Sequence, residues 1–201
     1  MKKLLSLAVA LIVLAAAVVC AAGTLPKPDK FDEEEILADT RLGVSYDKIV
    51  VNDFSTKDAE ITNIDDEEKK LLESAEKEIV KSLTDSTVNS LQKKKLFKKV
   101  VSNGNAREKA VILQGKITKF NGGVGAAKFF LGFAAPKSTK TNISIEAELI
   151  DAVTGNVLAR IKDVRSGGEG NTLGSKNMTK AFIVQAQDEG EELAEFISEL
   201  F

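Results

Sequence analysis

The chain has no histidine and no tryptophan, one tyrosine, one cysteine and three prolines in 201 residues. Without histidine neither a Ser-His-Asp nor a Cys-His nucleophile system can be assembled, and no imidazole metal site exists. Cys20, the lone cysteine, lies in an apolar leader, so the rest of the chain has no thiolate chemistry and no disulfide of its own. An enzyme built on this chain would have to use carboxylates, lysines, hydroxyls or an oxygen-ligated metal. A strong charge of one sign is lacking too: 28 basic residues oppose 30 acidic ones, and the 28 become 26 if Lys2 and Lys3 leave with the leader. That balance gives no general attraction for nucleic acid, and no pattern in the sequence implies a cofactor, a metal or a catalytic residue.

What is present begins with Met1-Lys2-Lys3, an apolar run to Val19, and then Cys20-Ala21-Ala22. A short basic head, an apolar stretch and small residues after it predict a secretory signal over residues 1–22. The run is short and rich in alanine, whereas a bilayer span needs about 20 predominantly apolar residues. Two fates of Cys20 stand side by side. Its position resembles that of the lipid-bearing cysteine of a bacterial lipoprotein, with cleavage before it, whereas the preceding Ala17-Val18-Val19 favours ordinary cleavage after Ala21 or Ala22. Residues 23–45, with two of the three prolines, read as a tether and N-terminal extension. Within them residues 31–39 (FDEEEILAD) read as solvated chain or a short helix. Residues 46–201 are long enough for one globular domain.

In that domain residues 46–55 (YDKIVVNDFS) predict a strand. Asp65 to Glu68 then opens a helix whose Leu71, Leu72, Ala75, Ile79 and Leu83 share an arc, continued by Ser86 and Ser90. Acids at its start and lysines at its end complement the helix dipole. Residues 97–102 form a short second strand before Asn103-Gly104. Residues 109–120 and 141–151 alternate apolar and polar side chains, which predicts strands with one buried face. Val153-Thr154-Gly155-Asn156 turns the chain into an antiparallel partner over residues 157–164. After a Gly-rich loop over residues 165–174, Met178, Phe182, Ala186, Leu193, Phe196, Ile197 and Leu200 mark a last helix, capped by Ser175 or Asn177. Glu189 falls inside that apolar arc, and Gly190 beside it suggests a local bend that lets the carboxylate reach water. The expected fold class is α/β (α+β): a mixed, largely antiparallel sheet of about five strands packed against two long helices, in the order β-α-β-β-β-β-α.

Several patterns invite chemistry. The segment over residues 123–128 lacks the third glycine and the Gly-Lys-Ser/Thr ending of a phosphate loop, and residues 166–170 place Glu169 where phosphate would sit. Lys93, Lys94, Lys95, Lys98 and Lys99 form either an anion or lipid-headgroup patch or a solvated helix end, and the absence of arginine and of further aromatics favours the second. Asp53 and Asp151 are the acids worth inspecting for carboxylate catalysis, although the position of Asp151 predicts turn capping. Residues 120–138 (FNGGVGAAKFFLGFAAPKS) are too short and irregular for a membrane β-hairpin. Phe129, Phe130, Leu131 and Phe133 in that stretch are the candidate contacts to a partner or a membrane.

The Asp53-Phe54 strand end, "ILQGKITKFNGG" (residues 112–123), "FLGFAAPKS" (residues 130–138) and "ELIDAVTGNVL" (residues 148–158) together resemble the bacterial domain-of-unknown-function family 4410. The resemblance runs from about Tyr46 to the C-terminus. It departs from the family pattern at Ala126-Ala127-Lys128 and over residues 132–137. It implies an exported envelope protein, in the periplasm or lipid-anchored through Cys20 at the outer membrane, with a fold distantly similar to the periplasmic domain of the curli secretion channel. It brings no catalytic residues. The functional expectation is a non-enzymatic interaction or assembly module whose partner is another envelope protein. A subunit of an oligomeric export or channel assembly is the alternative, and a carboxylate-dependent hydrolase the third reading.

Overall fold

A computed structural model describes residues 25, 27–107, 109–123, 140–166 and 175–201. In chain order the elements are β1 (Glu33–Ile36), α1 (Leu42–Ser45), β2 (Lys48–Val51), β3 (Glu60–Thr62), α2 (Asp66–Lys94), β4 (Lys99–Ser102), β5 (Ala110–Asn121), β6 (Asn142–Asp151), β7 (Val157–Ser166) and α3 (Ser175–Leu200). One mixed sheet runs in the order β1-β7-β6-β5-β2-β4, with β3 added beside the far half of β5. The long ladders β5–β6, β6–β7 and β1–β7 are antiparallel, whereas β2 pairs parallel with both β4 and β5. The expected order of five strands and two long helices is present, and β1, β3 and α1 are additional to it.

Residues 31–39 are the clearest correction. They form neither solvated chain nor helix: Glu33–Ile36 pairs with residues 159–162 of β7, and Phe31 is buried against the ring of Phe196 at 5.6 Å. The reason is long-range, because Glu33 meets Lys162 and Glu35 meets Arg160 across the ladder. Cross-strand pairs of this kind favour strand over helix without leaving a local signal. The first predicted strand is shorter than expected. It ends at Val51, and the following residues bend so that Phe54 enters the core.

Both long helices cover one face of the sheet. Asp65 caps α2 with a reciprocal capping box: its side chain accepts from the Glu67 and Glu68 amides while Glu68 accepts from its own. The buried stripe of α2 is Leu72, Ile79, Leu83, Thr87 and Leu91, while Leu71 turns outward. All seven apolar positions expected on the last helix are buried. The two helices run parallel. Ser86 donates to the Gln187 carbonyl at 2.8 Å and Lys94 meets Glu195 at 2.6 Å, each pair 101 residues apart. Their backbones nearly touch at Gly190, where a Cβ would lie 2.5 Å from the Leu83 carbonyl oxygen.

A bulge between Ile117 and Lys119 lets β5 keep a dry face over its whole length. Val111, Leu113 and Ile117 are buried, and after the extra residue Phe120 also points inward, edge-on to Phe182 at 5.3 Å. The other face of the sheet is wet.

Candidate functional site

Phe54 lies over β5 where Gly115 leaves room. A Cβ at Gly115 would lie 2.5 Å from both the Phe54 ring and the Glu146 carbonyl oxygen. Phe54 and Gly115, 61 residues apart, are therefore one packing unit, and it fixes the path of Asp53. The Asp53 amide donates to the Asn103 side chain at 2.8 Å, and its carboxylate accepts from the Thr84 hydroxyl at 2.8 Å. Thr56, Glu76, Lys77, Lys81 and Ser102 complete an open groove of about 830 Å³ at the C-terminal ends of β2 and β4.

Asp151 occupies the opposite end of the sheet, and it caps a turn as its position predicts. Its Oδ1 accepts from the Val153 and Thr154 amides at 2.8 and 2.7 Å, and its Oδ2 accepts from the Tyr46 hydroxyl at 2.7 Å. The Thr154 amide and the Tyr46 hydroxyl hold the carboxyl below the usual range. Burial and this carboxylate push the Tyr46 phenol up to about 12. Asp53 and Asp151 thus serve separate local structures and do not face each other across a cleft.

The buried carboxylates that come together are Asp163 of β7 and Glu189 of α3, both against the guanidinium of Arg165 on β7. Glu189 Oε2 accepts from Arg165 Nε at 2.9 Å, and Asp163 lies 3.2 Å from the same guanidinium. Glu189 is fully buried, its Oε1 has no hydrogen-bond partner, and its pKa is raised to about 8 by burial and by the Asp163 charge, against the pull of Arg165. This overturns the expectation that Glu189 reaches water. Gly190 brings α2 close on one side while Glu189 projects toward β7, so the pair seals the carboxyl in. Sequence reasoning also missed Arg165, placing it in the Gly-rich loop; it is a strand residue, since β7 extends to Ser166. An acid inside an apolar arc was the available signal, and it called for a buried cation.

On the wet face, residues of β1, β7, β6 and β5 form two rows. Glu33, Lys162, Glu146 and Lys116 lie in register in one, with ion pairs at 3.0 Å (Glu33–Lys162) and 2.9 Å (Glu146–Lys116). Glu35, Arg160, Glu148 and Gln114 form the other, with Arg160 bonded to Glu35 at 3.0 Å and to Glu148 at 3.1 Å. Charge alternates from strand to strand along the first row and from β1 to β6 along the second, which ends in the uncharged Gln114. A shallow hollow of about 600 Å³ lies over these rows and is bounded by residues 52–55.

Cys20 and the candidate contacts Phe129, Phe130, Leu131 and Phe133 lie outside the described residues. The flanks of the latter are well anchored. Asn121 accepts from the Gly123 amide and from Asn63, while Thr141 donates to the Gly122 carbonyl and accepts from Gln185. Among the described residues no helix is long and apolar enough to cross a membrane, and no cluster of three or more acids could hold a metal.

Fold and site define an α+β domain with a mixed sheet that carries two parallel helices on one face and rows of alternating charge on the other. The family model described as "Domain of unknown function (DUF4410)" matches residues 49–171, and the chain belongs to this family. No curated protein matches it in sequence. Among solved structures it is similar to the PelC dodecamer from Paraburkholderia phytofirmans, at 15% identity over 80% of this chain and 96% of that one, with a TM-score of 0.42. It is also similar to protein XCC0632 from Xanthomonas campestris, family DUF330, at 12% identity over 75% of this chain and 83% of that one, with a TM-score of 0.44.

Proposed function

We propose that the protein is a non-enzymatic interaction module of the bacterial cell envelope, exported by its leader and working through its surface with another envelope protein. The supporting observation is how the acids are used. Asp53 holds Thr84, Asp151 caps a turn, and the strongly shifted Glu189 is sealed beneath α3 with Arg165. Catalysis by carboxylates needs a pair facing one cleft at a spacing set by the reaction, and in the open groove Asp53 is bonded to Thr84 and Glu76 to Thr56. Lipid attachment at Cys20 belongs to the same reading. Mass spectrometry of the N-terminus of the exported protein tests it: a lipid-modified Cys20 is expected, and an unmodified start at Ala22 or Gly23 overturns the anchor. Crosslinking in the native envelope tests the module: recovery of one specific protein partner is expected, and turnover of a glycoside or ester substrate lost on Asp53→Asn overturns the non-enzymatic reading.

Self-assembly is a second reading, favoured by the two sheet edges. β1 is acidic (Glu33, Glu34, Glu35), whereas β4 begins with Lys99, just after Lys98. Charged short edges repel their own kind but attract the opposite edge of another copy. Light scattering tests this: salt-sensitive oligomers are expected, and a monomer at every concentration ends the reading.

A further inference from the structure

The lysine cluster at the end of α2 belongs to a larger surface that the sequence does not show. The start of β4 follows directly from it, and Lys99 is in register with Lys48 of β2, which in turn pairs with the start of β5 at Ala110. The Lys109 carbonyl accepts from the Asp47 and Lys48 amides, and the Lys48 ammonium reaches the Asn105 carbonyl at 2.7 Å. One end of the domain therefore gathers Lys48, Lys93, Lys95, Lys98, Lys99, Arg107 and Lys109. Only Lys98 among these forms an ion pair with a described residue, Asp47. Of the acids there, Asp47, Asp151, Glu195 and Glu199 are engaged, with Lys98, Tyr46, Lys94 and Lys30 respectively, and Asp39 is exposed.

The same end carries the most exposed large apolar side chains of the described residues. Val44 on α1 is 77% exposed and Val153 in the β6–β7 turn is 68% exposed. Val44, Leu96 and Phe201 line a hollow of about 300 Å³ rimmed by Lys98 and Lys109. The Ala152 amide bonds to the Ala110 carbonyl at 3.0 Å, which sets Val153 beside Lys109.

We infer that this end of the domain docks on the surface of an anionic phospholipid bilayer. Six of these seven cations are lysines, flexible point charges without the planar fork that reads a particular carboxylate, so they suit a field of many headgroup phosphates better than one acidic side chain. Apolar tips among them reach the boundary beneath the headgroups. The inference uses neither Cys20 nor residues 129–133, and it stands whether or not the anchor forms.

The test measures partitioning of the full chain onto vesicles of phosphatidylcholine with and without phosphatidylglycerol, at low and high salt, for the wild type and a Lys93→Gln/Lys99→Gln/Arg107→Gln variant. The apolar leader contributes equally in both proteins, so their difference reports this surface. Each cation removed near anionic lipid changes binding about fivefold, so the triple variant should lose at least about tenfold on anionic vesicles and nothing on neutral ones. A Val44→Ser/Val153→Ser variant should bind more weakly at high salt, where the apolar contact remains. Equal binding by wild type and triple variant overturns the inference. So does salt-sensitive self-association abolished by the triple variant without any preference for anionic vesicles, because the surface would then meet a second copy. If the triple variant fails to fold by circular dichroism, the salt response of the wild type decides: tight anionic binding unchanged by salt also overturns it.

Discussion

The two faces of the sheet are made by the same strands and organised on different principles. On the covered face β5 and β6 present Leu113, Gly115, Ile117, Ile145, Ala147 and Leu149, all packed beneath α2 and α3 except where Gly115 gives its space to Phe54. On the open face the intervening residues of the same strands form two rows of alternating charge. Dense packing is intolerant of added volume, whereas solvated ion pairs are individually weak. The contrast teaches that stability resides on one face, leaving the other free to vary without unfolding the domain.

The largest test of that contrast is Gly115→Val. The side chain would meet the Phe54 ring and the Glu146 carbonyl at once, and destabilisation of about 3 kcal/mol or more is expected in urea denaturation. A wild-type midpoint would show that Phe54 has another place to go. Gly190→Val should cost about 2 kcal/mol by forcing α2 and α3 apart, with both helices retained in circular dichroism but a lower midpoint.

Glu189 tests the covered face by pH. Its carboxyl titrates near 4.5 when unfolded and near 8 when folded, so its favourable contribution is complete below about pH 4.5 and is lost as pH rises through about 8. In that window this one group lowers stability steadily as pH rises. Glu189→Gln should remove this component, leaving a flatter stability profile between pH 5 and 8 and a variant that gains on the wild type as pH rises. Parallel profiles would mean that Arg165 keeps the carboxylate ionised. At the other extreme, Lys116→Ala on the open face should change stability by no more than about 0.5 kcal/mol, and less still in high salt. Arg160→Ala should lower the midpoint only slightly, an effect that vanishes with added salt. A large loss at either position would break the distinction between the faces.

The local features, those that alternate, turn or repeat over ten residues or so, were legible. β5 and β6 announce a buried face, the β6–β7 hairpin announces its turn, and α2 and α3 announce their stripes and the acidic start of α2. What was not legible depends on partners far away in sequence. Glu33 and Glu35 look like solvated acids until Lys162 and Arg160 are set beside them. Thr118 looks like an ordinary outward residue, and only the pairing with β6 shows the bulge that returns Phe120 to the core. The lysine end was half visible: Lys93 to Lys99 are adjacent in the chain, but Lys48, Arg107 and Lys109 join them only through the parallel register of β2, β4 and β5. The sealed carboxyl was the hardest. An acid in an apolar stripe has two physical outcomes, escape to water or a buried cation, and only Arg165 on a neighbouring strand decides between them.

The constant spacing of 101 residues between contacts of α2 and α3 has a consequence for how the chain reaches its native state. As synthesis proceeds, Leu72, Ile79, Leu83 and Leu91 wait without their covering helix until the final 26-residue helix has been made. Contacts of such separation carry a high loop-closure cost and fold slowly. The nascent chain therefore stays open and prone to chaperone capture until α3 arrives, and removal of α3 should yield a polypeptide that never closes.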